Sequence, residues 1–152
     1  MVRFENSINI KRSIDEVFQF VAEFENVPKW NYFVKNVVKT SDGPVGQGTV
    51  FHQIRETDTQ DYHITEFNHN EKIVVETIRN SKPKFRREMT FRDDKTSTVI
   101  FDNWILDIGM FGIFDRLVAA RIKSAVSENL DRLKELQENG TVTLQNGVRF
   151  SL

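Results

Sequence analysis

Histidine is the residue type in this sequence best suited to bind a metal ion, and the chain has three, His52, His63 and His69. His52 and His63 lie on adjacent predicted strands, where one register places them diagonally on the same face. A register shifted by one residue would separate them. Because the sequence has no cysteine and no clearly placed carboxylate beside this pair, the set is poor for zinc or iron. We therefore expect no metal site and no cofactor.

Nucleophilic catalysis and phosphate binding also lack a recognisable motif. The sequence has no G-x-S-x-G nucleophile elbow, and Ser124 and Ser127 lie on a predicted helix without a histidine nearby in sequence. The glycine-rich segment GPVGQG at residues 43–48 precedes a predicted strand, whereas phosphate-binding loops open a helix. This segment is better explained as a turn.

General acid–base chemistry is the enzymatic possibility that the residue types support. It requires a titratable group in an apolar cavity, where the loss of hydration shifts its pKa. The candidates are His63, Glu66, Arg87 and Asp102. Each of them has an ordinary alternative as a surface residue of a sheet with one solvent-exposed face, and this alternative is favoured for each.

Aromatic residues cluster in the segment FENVPKWNYFVKNV, between a predicted helix and a predicted strand. Trp30 and Phe33 suit either the lining of a pocket or plain core packing, whereas Phe20 and Phe24 are assigned to the core. Trp104 lies in the segment TSTVIFDNWILDI, which carries apolar residues on both faces. The pattern leaves open which face is turned inward. We predict that Trp104 lines the pocket, because an indole can do so while its N–H bonds a polar partner.

The composition indicates a single globular domain. The chain has 152 residues, of which 39% are hydrophobic and 28% are charged, and its net charge is −1. There is no basic excess for nucleic acid, so we expect no nucleic-acid partner. The first residues lack the apolar run of a signal peptide, and no segment has membrane-spanning length. We expect a cytoplasmic protein without integral membrane association.

The pattern along the chain predicts one strand, two helices, six strands and a long helix. Residues 2–12 alternate as a half-buried strand. Ser13 and Glu16 form a capping box that opens the first helix, and Pro28 predicts a short second helix near residues 29–35. Turn-rich segments then separate six predicted strands, at residues 36–41, 48–56, 61–68, 72–79, 84–92 and 96–107. Because short turns join these strands, we expect an antiparallel sheet.

The longest predicted helix spans residues 110–139 and is stopped by Gly140. Counted from Phe114, Arg121 falls inside a broad apolar stripe on this helix. The residues of the stripe are Met110, Phe114, Leu117, Val118, Ile122, Ala125, Val126, Leu133 and Leu136. A guanidinium there could anchor a ligand carboxylate. The favoured alternative is that Arg121 lays its stem on apolar surface and sends its charge to water.

This order of elements resembles the polyketide cyclase and START-like (SRPBCC) superfamily, which has the helix-grip fold of the Bet v 1 allergens. The resemblance lies in SIDEVFQFVAEFENVPKW (13–30), GPVGQGTVF (43–51), YHITEFNHNEKIV (62–74) and NLDRLKELQEN (129–139). It implies an α+β domain over residues 1–140, in which a curved antiparallel sheet wraps the long helix around a cavity. Residues 141–152 remain as a C-terminal tail, where Asn146-Gly147 predicts a β-hairpin.

The resemblance implies that the cavity binds a small hydrophobic molecule such as a lipid, polyketide, isoprenoid or aromatic compound. The residues expected to contact it are Trp30, Phe33, Phe51, His63, Met89, Trp104, Met110, Phe114 and Val118. One alternative is a cyclase or dehydratase that uses acid–base groups in the same cavity. Another is a protein-interaction or regulatory module whose tail adds strands to a partner. The sequence also leaves a homodimer open.

Overall fold

The sheet has seven strands and precedes the long helix in the chain. A computed structural model describes residues 1–109 and 113–152. The strands are Val2–Ile10 (β1), Val34–Lys39 (β2), Val50–Arg55 (β3), Thr59–Asn68 (β4), Lys72–Ile78 (β5), Lys84–Asp93 (β6) and Thr98–Asp107 (β7). The helices are Ile14–Ala22 (α1), a 3₁₀ helix at Phe24–Lys29, and Ile113–Asn139 (α2). No helix within the described residues is long and apolar enough to cross a membrane.

The sheet is antiparallel throughout, in the order β1-β7-β6-β5-β4-β3-β2. It is curled, and α2 packs against its concave side, with its closest approach at β1. Each strand from β2 to β6 pairs with the next in sequence, as short turns require. The predicted α+β class, with a curved sheet around a long C-terminal helix, is confirmed.

The segment after β1 folds as predicted at first and then differs. The Ser13 hydroxyl accepts a hydrogen bond from the Glu16 N–H at 3.3 Å and caps α1. The predicted second helix at residues 29–35 is wrong, because Pro28 lies inside the 3₁₀ helix that ends at Lys29. The side chain of Asn31 then accepts the Phe33 N–H at 3.0 Å. This local bond favours a turn over a further helical turn.

Strand β7 turns its even-numbered residues toward the inner face of the sheet. Ile100 and Asp102 are fully buried, and Trp104 stacks on Phe4 of β1 with ring centroids 6.2 Å apart. On the opposite face, Arg92 covers the ring of Phe101 at 5.5 Å. The apolar residues on the outer face are therefore partly covered by long polar side chains of the neighbouring strand.

The long helix presents a different face from the one predicted over its first turns. Phe114 and Leu117 are 61% and 66% exposed, and Arg121 is exposed on the same side of the helix. The predicted apolar stripe is therefore wrong at Phe114 and Leu117, whereas its later members Leu133 and Leu136 are buried. Arg121 lies toward solvent, which was the favoured alternative. Further along, Leu130 and Leu133 are buried against the sheet.

The C-terminal segment forms a small second sheet against the end of α2. The helix ends at Gly140, whose φ of +78° favours glycine. Thr141–Thr143 (β8) pairs antiparallel with Arg149–Ser151 (β9). The apolar side chains that this hairpin buries are Leu136, Val142 and Leu144, with Phe20 and Phe150 beside them. The tail thus packs on its own chain, and its addition to a partner's sheet stays a prediction.

Candidate ligand cavity

A cavity of about 260 Å³ lies between the concave face of the sheet and the middle of α2. The 3₁₀ helix and the segment after it bound the cavity near β2, and α2 contributes one turn after another from Ile122 to Asn129. The lining residues are Phe24, Val27, Trp30, Asn31, Phe33, Val34, Gln53, Arg55, Gln60, Tyr62, Val75, Pro83, Phe85, Arg87, Trp104, Leu106, Ile122, Ala125, Val126 and Asn129. Its volume is close to the lower limit for pockets that hold drug-sized ligands, roughly 300 Å³.

A continuous row of aromatic rings forms the sheet side of the cavity. The ring centroids are 5.8 Å apart for Phe24 and Tyr62, 5.8 Å for Tyr62 and Phe85, and 5.4 Å for Phe85 and Trp104. Tyr62 of β4, Phe85 of β6 and Trp104 of β7 share the inward parity, so strand alternation turns them to the same face of the sheet. Phe24 of the 3₁₀ helix extends the row. The rings are inclined to one another by 49–65°, so the row offers a corrugated apolar surface to a bound molecule.

A buried ion pair adjoins this aromatic row. Arg87 donates from Nε to Asp102 Oδ1 at 2.7 Å and from Nη2 to Asp102 Oδ2 at 2.8 Å. Trp104 donates its Nε1–H to the same Oδ2 at 3.0 Å. The guanidinium carbon lies 4.7 Å from the ring centroid of Trp104 and 5.7 Å from that of Trp30. Arg87 is thus held by a bidentate pair and by two indole rings.

The register of the sheet explains why these groups meet. Arg87 of β6 lies directly opposite Trp104 of β7, and Asp102 precedes Trp104 by two residues on the same face. Asp102 is fully buried, and a buried carboxylate requires a compensating cation and hydrogen-bond donors. Arg87 and Trp104 supply both, so the three residues form one unit.

Three uncharged lining residues carry buried polar atoms that lack a hydrogen-bond partner among the described residues. These atoms are Trp30 Nε1, the Tyr62 hydroxyl and Asn129 Oδ1. By contrast, the Gln53 amide donates to Gln60 Oε1 at 3.1 Å, and Gln60 donates to the Pro83 carbonyl at 3.3 Å. The unsatisfied polar atoms therefore occur on only part of the lining.

The Tyr62 hydroxyl stays protonated. Burial raises the pKa of Tyr62 well above its usual range, and the positive charge of Arg87 offsets only part of this effect. Desolvation disfavours the charged phenolate, which explains the direction of the shift. Tyr62 can therefore donate a hydrogen bond at any physiological pH.

Three of the residues expected to contact a ligand, Trp30, Phe33 and Trp104, lie on the lining. Trp30 is 2% exposed, whereas Phe33 is 40% exposed, so the two differ in depth. Arg87, a candidate for acid–base chemistry, also lies on the lining, and its partner Asp102 lies directly behind it. Contact of these residues with a ligand stays a prediction.

Phe51 and Met89 have the inward parity but lie in the packed core and not on the lining. Phe51 packs between Phe24 at 5.2 Å and Tyr62 at 5.6 Å, measured between ring centroids. Met89 follows Arg87 by two residues on the same face of β6 and is 1% exposed. Alternation identified the buried face correctly, but position along the strand decides between core and cavity.

His63 and Glu66 lie on the outer face of the sheet. In β4, Tyr62 and Ile64 point inward, so the intervening His63 points outward, between Val50 and Glu76 on the adjacent strands. A bulge after Ile64 then shifts the register, and Glu66 pairs with Lys72 at 3.8 Å. The expectation that His63 lines the cavity is therefore wrong, because alternation turns its side chain to the outer face.

The histidines do not form a metal site with their neighbours. His52 lies diagonally to His63, as one predicted register required, but its Nδ1 is 2.8 Å from Asp61 Oδ1. Within residues 1–109 and 113–152, no group of three or more histidine, cysteine, aspartate or glutamate side chains could hold a metal ion.

The remaining expected contacts lie near the start of α2. Phe114 is largely exposed, and neither Phe114 nor Val118 is on the described lining. Met110 lies outside the described residues. The helix residues that do line the cavity come one to three turns later: they are Ile122, Ala125, Val126 and Asn129. The predicted apolar stripe contained the first three, but none of the four was expected to contact a ligand. Their spacing of three and four residues is a helical signal that could have identified them.

Comparisons with known proteins agree with this architecture. The chain is similar to a START superfamily protein from Mycobacterium smegmatis, with a TM-score of 0.75, 13% identity, and coverage of 90% of this chain and 97% of that one. It is also similar to XoxI from Bacillus cereus, with a TM-score of 0.72, 15% identity, and coverage of 90% and 96%. A third similar structure is the di-domain ARO/CYC StfQ from the steffimycin biosynthetic pathway, with a TM-score of 0.72 and 16% identity. In that case the match covers 91% of this chain and 51% of the other.

These low identities show a shared fold. The chain has no significant match among curated protein sequences. Its residues 1–138 match the model of a family described as polyketide cyclase / dehydrase and lipid transport. Because this match spans most of the chain, the protein belongs to that family.

Proposed function

We propose that this protein binds a small, largely apolar organic molecule in the cavity between the sheet and α2. The observation that carries the proposal is a hollow of about 260 Å³ whose wall combines an aromatic row with unsatisfied polar atoms. Removal of apolar ligand surface from water contributes about 25 cal/mol per Å², before the costs of association are subtracted.

The polar atoms of the wall support a ligand with at least one hydrogen-bonding group. A buried donor or acceptor without a partner costs about 1–3 kcal/mol. Trp30 Nε1, the Tyr62 hydroxyl and Asn129 Oδ1 are in this condition. A ligand that reaches them after small side-chain rotations would remove part of that cost, whereas a pure hydrocarbon would not.

Binding without turnover is the function that the wall supports best. The oxygens of Asp102 already accept three N–H groups, from Arg87 and Trp104. The described lining contains no histidine, aspartate or glutamate, and Tyr62 remains protonated. No free general base is therefore present on the described part of the wall.

A cyclase or dehydratase activity is the second candidate, favoured by a specific pair of groups. The protonated Tyr62 hydroxyl and the Arg87 guanidinium both lie on the wall, and such groups can polarise a ligand carbonyl. A Tyr62→Phe variant separates the candidates. If the protein only binds, this variant keeps ligand binding within about tenfold; if it catalyses, turnover falls by a larger factor than affinity does.

Native mass spectrometry of the protein purified from its own host would test binding directly. We expect a co-purified small molecule that is released on unfolding. The matched pair Ala125→Phe and Ala120→Phe tests its location, because Ala125 lines the cavity and Ala120 is exposed on the same helix. Ala125→Phe should abolish the co-purified mass, and Ala120→Phe should retain it. Equal retention in both variants would contradict binding in this cavity.

A further inference from the structure

The cavity wall is balanced in charge. Arg55 and Arg87 are the charged side chains on the described lining, and each has a carboxylate partner. The Arg87 pair with Asp102 is bidentate and buried. Arg55 Nε lies 3.5 Å from Asp58 Oδ1, and its side chain is 34% exposed. A ligand therefore meets two cations that each already face a carboxylate, although Arg55 Nε makes no hydrogen bond to a described residue.

This balance disfavours an ionised ligand. A carboxylate that entered the cavity would lose its hydration without gaining an unpaired cation. To bond Arg87 it would also approach the carboxylate of Asp102, and like charges at short distance repel. A neutral oxygen meets neither cost.

The groups that lack partners suit a neutral oxygen. Trp30 and Tyr62 offer an N–H and an O–H, and Asn129 offers a carboxamide. A ketone, ester, amide or hydroxyl group can bond such groups without carrying charge into the cavity. The aromatic row from Phe24 to Trp104 would hold the planar or apolar part of the same molecule.

We propose that the cavity selects compact, uncharged ligands that carry a carbonyl or hydroxyl oxygen, and that it discriminates against carboxylates of the same skeleton. This inference rests on the proposed binding function and specifies its ligand class. The volume of about 260 Å³ lies near the lower end of the range for ligand pockets, roughly 300–1,000 Å³. The cavity therefore encloses a ligand of one or a few rings more readily than an extended chain.

A matched series of naphthalene compounds tests the inference: 2-acetylnaphthalene, naphthalene-2-carboxylate and naphthalene. The readout is the pair of indole N–H signals in an ¹H–¹⁵N spectrum. The sequence has two tryptophans, and both line the cavity. Trp30→Phe and Trp104→Phe variants assign the signals. Titrations of the full chain at pH 7 then give an affinity for each compound and show whether it enters the cavity.

We expect 2-acetylnaphthalene to bind at least about tenfold more tightly than naphthalene-2-carboxylate. Its carbonyl should move the Trp30 signal downfield, because this N–H gains an acceptor, while naphthalene should produce no such shift. If none of the compounds perturbs either indole signal, the proposed binding function fails. If the carboxylate perturbs both signals and binds as tightly as the ketone, binding stands and the neutral-ligand inference is overturned.

A pair of substitutions tests whether charge balance is the cause. Asp102→Asn keeps the shape of the side chain and leaves Arg87 without its carboxylate. The preference for the ketone should fall by about tenfold or reverse. Glu88→Gln is the control, because Glu88 pairs with Arg86 on the outer face of the same sheet, at 3.2 Å. An unchanged preference in a folded Asp102→Asn protein would overturn the charge argument, and the wild-type series remains decisive if that variant does not fold.

Discussion

The space between the sheet and α2 differs at its two ends. Around Leu130 and Leu133, the helix packs directly on the core, and both side chains are nearly fully buried. Around Ala125 and Val126, four to eight residues earlier in the chain, the same helix lines a cavity of about 260 Å³. One helix and one sheet thus form a packed end and an open end.

The difference between the ends follows from the side chains that each presents. Leucine fills the space at the packed end, whereas alanine and valine leave room at the open end. The sheet adds a charged pair at the open end, and its aromatic rings stand around the hollow without filling it. Close packing is the norm in protein interiors, so an unfilled apolar space indicates a use other than stability.

The largest effect should follow from breaking the buried ion pair at the open end. Asp102→Ala leaves the Arg87 guanidinium buried without its carboxylate, which we expect to lower the free energy of unfolding by about 3–5 kcal/mol. Urea denaturation measures the loss. Glu88→Ala is the matched control on the outer face, where Glu88 is 26% exposed, and it should cost under about 1 kcal/mol. Equal losses in the two variants would show that burial does not set the cost.

Truncation of a buried helix side chain at the packed end should have the next largest effect. Leu133→Ala removes a side chain that is 1% exposed, and we expect a loss of about 2–5 kcal/mol in the free energy of unfolding. Ile122→Ala, on the cavity lining, should cost about 1–2 kcal/mol because one side of this residue already faces empty space. Thermal unfolding monitored by circular dichroism compares them. A larger loss at Ile122 would contradict the assignment of packed and open ends.

An enlarged alanine should have opposite consequences in the cavity and in the packed core. Ala125→Leu adds apolar volume to the cavity, so we expect the free energy of unfolding to stay within about 1 kcal/mol of wild type or to rise. Ala22→Leu adds the same volume to the packed core and should cost about 1–3 kcal/mol through overpacking. Both values come from urea titrations of the two variants. A loss at Ala125 as large as that at Ala22 would mean that the cavity cannot accept a side chain.

The fold was predictable because turn chemistry and strand alternation are local signals. The predicted strands at 72–79 and 84–92 correspond to Lys72–Ile78 and Lys84–Asp93. The prediction of a second helix at residues 29–35 failed because the Asn31 side chain accepts the Phe33 N–H. Such a bond is not visible in apolar periodicity. The prediction for the start of α2 failed because Phe114 is apolar and yet exposed, so counting from Phe114 placed Arg121 inside the apolar stripe.

The cavity was only partly predictable, because alternation gives the face of a strand but not the depth along it. Phe51 and Tyr62 both point inward and lie opposite each other, yet Tyr62 lines the cavity and Phe51 does not. His63 shows that alternation in the sequence does not always identify the face on which a strand residue lies. The apolar residues of its strand occur at both parities, Tyr62 and Ile64 at one and Phe67 at the other. The bulge after Ile64 brings all three to the inner face and leaves His63 on the outer one. The Arg87–Asp102 pair required the β6–β7 register, which sequence alone does not give.

The smallest effect should be a pH dependence at the packed end, where Glu138 joins α2 to the end of β1. Burial raises the pKa of Glu138, but hydrogen bonds from Lys134 Nζ at 2.6 Å and the Lys11 N–H at 2.9 Å outweigh it, so the pKa lies below its ordinary 4.5. A lowered folded-state pKa stabilises the fold above pH 4.5, and the stabilisation is lost as the pH falls through the folded value. Glu138→Gln should therefore cost a few tenths of a kcal/mol at pH 7 and less below pH 4.5. Urea titrations at both pH values measure this difference, with Asp131→Asn on an exposed position of the same helix as the control. A cost that is the same at both pH values would assign the effect to packing, because only the ionised carboxylate can lose its stabilising charge on protonation.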